Sequence, residues 1–319
     1  MKAAILAAGL GTRLRPLTYL VPKALLPVLN RPLLGLWLDQ LQALGFTQVA
    51  VNTHHLAAVV HQFLASRQPS GLDLKVIHEP EILGTGGGLK GLGSALGEGP
   101  FLAVNGDILT DLDLAAIFRN HRPETISTLV LHDCPPYNHV WVADGAVVSI
   151  GAPPPSGQAS PLAYTGVQVV SPKMLNYIPG DGYYDLVTAW RAALAAGEKL
   201  DPLVVGGHFW QDLGTPAAYL TAHQRLLKKA APSLAHLFPR LRDPLLGPGA
   251  TIGPGVRFGG GVCLGAGVEI GAGAALTNTV AWDRAHIAGG VRLKDCLVAT
   301  AVKVTHSAQG EVLVGEVET

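Results

Sequence analysis

Residues 1–230 alternate continuous apolar runs with segments of helical spacing. Ala3–Ala8 is apolar without interruption, as expected of a strand buried on both faces. Leu34–Leu44 carries apolar residues three and four apart and stops at Gly45, which predicts a helix. Gln48–Asn52 predicts a strand, 56–67 a helix, Leu74–His78 a strand, Phe101–Val104 a strand and Leu112–Asn120 a short helix. Thr128–His132 and Gly166–Val170 predict further strands. "VWVADGAVVSI" predicts a hairpin, with Asp144–Gly145 as its two-residue turn. "GTPAAYLTAHQRLLKKA" predicts a closing helix, with Thr215 as N-cap and Pro216 in the first helical position. Strands alternating with helices imply an α/β fold with a mixed, mostly parallel sheet, in which ligands sit at the carboxyl ends of the strands.

After a proline-containing connector at 231–245 the period changes to six. In "LGPGATIGPGVRFGGGVCLGAGVEIGAGAALTNTVAWDRAHI", Leu246, Ile252, Phe258, Leu264, Ile270, Leu276 and Trp282 share one phase. Ala250, Val256, Val262, Val268, Ala274 and Val280 share a second. One large and one small apolar residue per hexad, with glycines between, predict stacked coils. The pattern resembles the short left-handed parallel β-helix of hexapeptide-repeat proteins. From Ile287 the register slips by one residue, and about seven clean hexads imply two coils and a fraction. The expected domains are 1–230, a connector at 231–245 and the solenoid with its tail at 246–319.

Composition narrows the class. Apolar residues make up 48% and charged residues 14% of the 319, and Lys plus Arg equals Asp plus Glu at 23 each, so no global field calls for nucleic acid or a membrane surface. Cys134, Cys263 and Cys296 are scattered and without metal spacing, which fits a reducing, cytoplasmic setting. The apolar start is too short for a signal peptide, with Arg13 and Arg15 close behind, and no run of about 18 apolar residues predicts a membrane span.

The candidate chemistry opens the chain. "AAILAAGLGTRLRPLTYLVPKALLPV" places Gly9 and Gly11 after a strand, then Arg13, then Lys23 between two prolines. Leu14 stands where a dinucleotide fingerprint needs its third glycine, prolines interrupt the helix that should follow, and the P-loop pattern is absent. What remains is a glycine turn with two fixed cations. Backbone N–H groups at Gly9, Leu10, Gly11 and Thr12 can approach phosphate oxygens, Arg13 offers a fork and Lys23 a point charge. The same glycine geometry also makes an ordinary strand-end turn.

This stretch resembles the GxGxRxxPLT…PK signature of sugar-1-phosphate nucleotidylyltransferases. "ILGTGGGL" at 82–89, "VNGD" at 104–107 and "WQDLGTP" at 210–216 resemble the family's later segments, in order. The resemblance implies a Rossmann-like nucleotidyltransferase domain. The implied reaction is attack of a sugar 1-phosphate on the α-phosphorus of a nucleoside triphosphate, with release of pyrophosphate. It implies Mg²⁺ on Asp107 and Asp212, Arg13 on the triphosphate, and Lys23 on the α-phosphate or the sugar phosphate. Glu81, Gly84 and Thr85 would meet the base, with Glu79 as a second candidate. Asn105 would bond the ribose or sugar, or simply form a turn. Thr165 and Gly166 would face the sugar. His54 and His55 read as caps of the next helix.

One departure stands out. Many members carry an EKP segment whose lysine grips the sugar phosphate, yet no lysine lies between Ala143 and Gly166 here. Uridylyltransferases acting on N-acetylmuramic acid 1-phosphate are similar in this respect, whereas mannose-1-phosphate guanylyltransferases share the hexapeptide tail. Two other readings are open: a catalytically silent regulatory paralogue that binds sugar nucleotides, and acyl transfer by the solenoid with His286 as base. A homo-oligomer through the β-helix is expected, and a chain ending near Arg242 is expected to retain some transfer activity but to change its oligomeric state.

Overall fold

A computed structural model describes residues 1–67, 71–154 and 158–315. They form two compact units, the first from 1–10, 37–106 and 112–208, the second from 11–36, 107–111 and 209 onwards. Part of "APPPSGQASPLAYTG" and the last four residues lie outside the described range.

The first unit is built on one mixed sheet. Its path runs Ala146–Ile150, Asn138–Ala143, Ser160–Val170, Phe101–Asn105, Lys2–Leu6, Gln48–Thr53, Asp73–His78. Ser127–His132 pairs with Ser160–Val170 and carries Leu200–Val204 beside it. Lys2–Leu6 is parallel to both neighbours, so its apolar run is buried: Ala3, Ala4 and Ile5 are fully enclosed. The long strand Ser160–Val170 runs antiparallel to Phe101–Asn105 and to Ser127–His132. The Asn138–Ile150 hairpin turns at Asp144 and Gly145, both at positive φ, as a two-residue loop requires.

Helices not expected from the sequence cover this sheet. Gly84–Leu96 is a helix although six of its first ten residues are glycine. Glycine costs a helix about 1 kcal/mol per residue against alanine, but here close packing requires its absent side chain. A Cβ on Gly88 would lie 2.6 Å from Asn52 Nδ2, and one on Gly93 2.6 Å from Leu175 Cδ1. Leu186–Ala195 is a second helix, capped by Asp185, whose carboxylate accepts from the Thr188 N–H. The predicted cap at His54 or His55 is not made: Leu56 occupies the N-cap of Ala57–Ser66 without a side-chain bond, and His54 Nδ1 lies 2.9 Å from the Glu79 carbonyl.

The second unit joins the segment 11–36 to the solenoid. Thirteen short strands form three parallel sheets of five, four and four strands, each pairing with the strand three positions on, as in a left-handed β-helix. This exceeds the two coils and a fraction expected, because the later coils abandon the hexad. Leu245–Leu246 pairs with Cys263–Leu264 eighteen residues on, Cys263 with Val280 seventeen on, and Leu297 with Val312 fifteen on. The slip therefore falls before Val280, not at Ile287. Leu264 pairs with Ala281, and Trp282 leaves the phase that the hexads assign to it. Where successive coils touch there is no room for a side chain: a Cβ on Gly271 would sit 2.3 Å from Gly289 N. The helix Pro216–Leu227 belongs to this unit, and Thr215 caps it as expected by accepting from the Ala218 N–H. Among the described residues no helix is long and apolar enough to cross a membrane.

Candidate active site

Four of the predicted side chains meet in the second unit. Ile108–Thr110 and Trp210–Asp212 pair antiparallel, with Asp212 opposite Ile108, and the Leu213 N–H donates to the Asp107 carbonyl at 3.0 Å. This two-stranded ladder is what brings Asp107 and Asp212 side by side from segments a hundred residues apart. Lys23 arrives from the turn Lys23–Leu25 and hydrogen-bonds Asp107 through its ammonium group. It is only 9% exposed, and its burial is tolerable because the carboxylate is its partner. Arg13 stands out in solvent, its Nη1 4.0 Å from Asp212 Oδ2.

The glycines of the motif make this cluster possible. Gly11 has φ +63, and its carbonyl accepts from the Thr18 hydroxyl at 2.9 Å. A Cβ there would strike Thr18 at 2.7 Å and press on Lys23. At Gly214 a Cβ would lie 2.6 Å from an Arg13 nitrogen and 2.8 Å from an Asp212 oxygen. The conformation at Gly11 and the space at Gly214 thus hold the two cations against the two carboxylates.

The electrostatics are those of two carboxylates set against two cations. Burial pushes the Asp212 carboxyl up from its ordinary value, and the neighbouring Asp107 pushes it further. Lys23, Arg13 and the Gly214 N–H pull it back. Two adjacent carboxylates favour a hard cation with oxygen ligands. Among the described residues no cluster of three or more His, Cys, Asp or Glu could hold a metal alone. Asp107 and Asp212 therefore suit Mg²⁺, which commonly takes one or two carboxylates and completes its shell with water and substrate phosphates.

The other predicted residues lie in the first unit. Leu10 is exposed beyond the strand Lys2–Leu6. Asn105 ends the strand Phe101–Asn105, opposite Leu6. Glu79 is buried and already engaged: Oε1 accepts from Asn52 Nδ2 at 2.7 Å and Oε2 from the Leu83 N–H at 3.2 Å. Asn52 in turn accepts from the Ala7 N–H at 2.6 Å, tying the glycine turn's strand to its neighbours. Glu81 is exposed.

Gly84, at φ +71, opens the helix Gly84–Leu96, but the Gly86 and Gly87 N–H groups donate to the Tyr184 carbonyl. The Thr85 hydroxyl lies 3.3 Å from Asp185 and accepts from the Leu186 N–H at 3.1 Å. Thr165 is fully buried and its hydroxyl donates to the Val130 carbonyl at 2.9 Å. Gly166, at φ +85, marks a bulge where the pairing shifts between Tyr164 and Gln168.

Two features escaped the sequence reading. Tyr183 and Tyr184 frame the glycine loop, Tyr183 standing 69% exposed with its ring against Gly84. The visible signal was the aromatic pair in "GDGYYDL" ahead of a helix start. Arg191 packs its guanidinium on Gly151, within the lysine-free stretch, and donates through Nε to the Ile150 carbonyl at 2.9 Å.

A family model described as nucleotidyl transferase matches residues 2–229. An N-acetylmuramate alpha-1-phosphate uridylyltransferase of Neisseria meningitidis serogroup B is 35% identical over 226 residues, covering 67% of this chain and 94% of that protein. A UTP–glucose-1-phosphate uridylyltransferase of Synechocystis is 33% identical over 58% of this chain, which spans about half (53%) of that relative's length. Among solved structures, a UDP-glucose pyrophosphorylase from Acinetobacter baumanii superposes over 76% of this chain and 99% of its own with a TM-score of 0.60. At 21% identity that likeness speaks for the fold.

Proposed function

The chain belongs to the nucleotidyl transferase family, in the branch that acts on sugar 1-phosphates, and we propose that it transfers a uridylyl group from UTP. A phosphate oxygen of the sugar 1-phosphate attacks the α-phosphorus, the bond from that phosphorus to the bridging oxygen breaks, and pyrophosphate leaves. The product is a UDP-sugar. The observation that carries this reading is the pairing of Lys23 with Asp107 on the ladder that also holds Asp212 beside Arg13.

This chemistry asks the protein for placement and charge, not for a covalent intermediate. Arg13 neutralises the triphosphate and the departing pyrophosphate. Lys23, held at a fixed point by Asp107, faces the α-phosphate or the incoming sugar phosphate. Backbone N–H groups at Leu10, Gly11 and Thr12 cradle phosphate oxygens. Asp107 and Asp212 would hold Mg²⁺, which would supply positive charge to offset that of the phosphates. Gly84 and Thr85 read the base through the backbone, since the Thr85 hydroxyl is already engaged, with Glu79 and Glu81 beside them. Asn105 bonds the ribose, and Thr165 and Gly166 shape the sugar side. Uridylyl transfer is favoured because the two relatives above are both named uridylyltransferases. The first coil, whose Ile252 is 37% exposed, is the face on which a second copy of the chain would pack.

A pyrophosphate-release assay with UTP, GTP, dTTP, ATP and CTP against a panel of sugar 1-phosphates, N-acetylmuramic acid 1-phosphate included, tests the reading. UTP should give a kcat/KM at least about tenfold above the others, a difference of about 1.4 kcal/mol in transition-state binding. A preference for GTP would reject the uridylyl assignment, and release with none of them would leave the silent-paralogue reading.

A further inference from the structure

A hairpin directly after Lys23 is locked to the solenoid by buried hydrogen bonds. Pro27–Val28 and Arg31–Pro32 pair antiparallel, and the loop residues Leu29 and Asn30 both have positive φ, +48 and +65. Asparagine tolerates this region, but leucine does so rarely, and such a residue persists where its surroundings over-determine it. Those surroundings are specific. The Leu29 N–H donates to His223 Nε2 at 3.2 Å, and His223 Nδ1 donates to the Tyr219 carbonyl at 3.0 Å. The Tyr219 hydroxyl donates to the Pro27 carbonyl and accepts from Trp282 Nε1 at 3.1 Å. Asn30 Nδ2 donates to the Leu264 carbonyl at 2.7 Å, and the Cys263 thiol lies 3.3 Å from Asn30 Oδ1.

Most of this network is desolvated, with Asn30 and Pro27 half-buried. Tyr219, His223 and Cys263 are wholly buried, and Leu29 and Trp282 nearly so. Leaving one such donor or acceptor unpaired costs about 1–3 kcal/mol, so the hairpin has one strongly preferred seat. Cys263–Leu264 and Val280–Ala281 are neighbouring strands of one solenoid sheet. Two successive coils therefore grip the hairpin, and Trp282 does so because it has left the hexad phase. None of these side chains belongs to the cluster around Asp107.

We propose that the solenoid is a positioning element for Lys23, acting through Asn30, Tyr219, His223 and Trp282 on the hairpin that follows it. The inference rests on the role given to Lys23 above, and it adds a positioning role to a solenoid expected only to assemble or regulate. Lys23 reaches Asp107 from a turn that ends two residues before Pro27, so a shift of the hairpin moves the ammonium group.

The test is a double-mutant cycle on the full chain. Asn30→Gly keeps the positive φ and removes both side-chain contacts to the solenoid, and Trp282→Phe keeps an aromatic side chain while removing the N–H donor together with part of the indole ring. Each should lower kcat by about tenfold while the chain stays folded at the assay temperature, since small misplacements of a reacting group have effects of this order. In a Lys23→Met background the same substitutions should lower kcat by less than about twofold, because residues that act through one another are not additive. Equal losses in both backgrounds, or no loss in either single variant, would overturn the proposal. Should Asn30→Gly fail to fold, Trp282→Phe carries the cycle alone. A Lys23→Met chain as active as the parent would instead overturn the reading of Lys23 itself.

Discussion

Asp107 and Asp212 sit together on one two-stranded ladder, yet only Asp107 has the buried ammonium of Lys23 as a partner. Their neutral replacements should therefore separate function from stability.

Asp107→Asn and Asp212→Asn should each lower kcat at least ~10²-fold, because each removes charge from the proposed cation site. Their effects on the cation-free protein should have opposite signs. Asp107→Asn strands Lys23 without its counter-charge and should destabilise the fold by about 1–3 kcal/mol. Asp212→Asn removes a carboxylate whose ionisation is opposed by burial and by Asp107, and should raise the melting temperature at neutral pH. Thermal melts in chelator check the signs, and a common sign would show that the two carboxylates are not so distinguished.

His223 supplies a pH test away from that site. Burial holds its pKa down to about 4 from 6.5. A histidine kept neutral in the fold binds fewer protons than in the unfolded chain between those values, so stability rises with pH across that window. Its contribution is fully present above about 6.5 and is lost as pH falls towards 4, a change of roughly 3 kcal/mol. His121 and His132 are shifted in the same direction, chiefly by burial, so the parent chain alone cannot isolate the effect. Denaturant midpoints at pH 7 and pH 4.5 should differ more for the parent than for His223→Gln, whose amide can still accept from the Leu29 N–H. Equal pH dependence in the two chains would place the titration elsewhere.

The sequence made the strand-and-helix alternation and the anion-binding segments legible because both depend on local pattern. Lys2–Leu6, Gln48–Thr53 and the hairpin at Asp144–Gly145 follow from apolar runs and turn chemistry. Gly84–Leu96 was hidden because helix propensity counts its glycines as a penalty, while their value lies in contacts with distant chain. The length of the solenoid was hidden where coils of seventeen and fifteen residues replace eighteen. At the site, residue types announced Arg13, Lys23, Asp107 and Asp212. Nothing local could announce Tyr219, His223 and Trp282, whose partners lie across the fold.

The glycines of the helix Gly84–Leu96 give a paired test of that last distinction. Gly91 is nearly free: an added Cβ would meet only Ile77, at 3.9 Å. Gly91→Ala should then express the ordinary preference for alanine in a helix and stabilise by about 0.5–1 kcal/mol. Gly88 faces the opposite circumstance. Its Cβ would lie 2.6 Å from Asn52 Nδ2 and 3.0 Å from Glu79 Oε1, the two atoms of a buried hydrogen bond, while Asn52 Oδ1 accepts from the Ala7 N–H. Gly88→Ala must displace that pair, exposing a buried carboxylate and amide to unsatisfied neighbours at a cost of about 1–3 kcal/mol, which exceeds the helix gain. Chemical denaturation of the two variants measures both signs. Destabilisation by Gly91→Ala, or stabilisation by Gly88→Ala, would mean that the glycines serve backbone flexibility and not the close approach of Asn52 and Glu79.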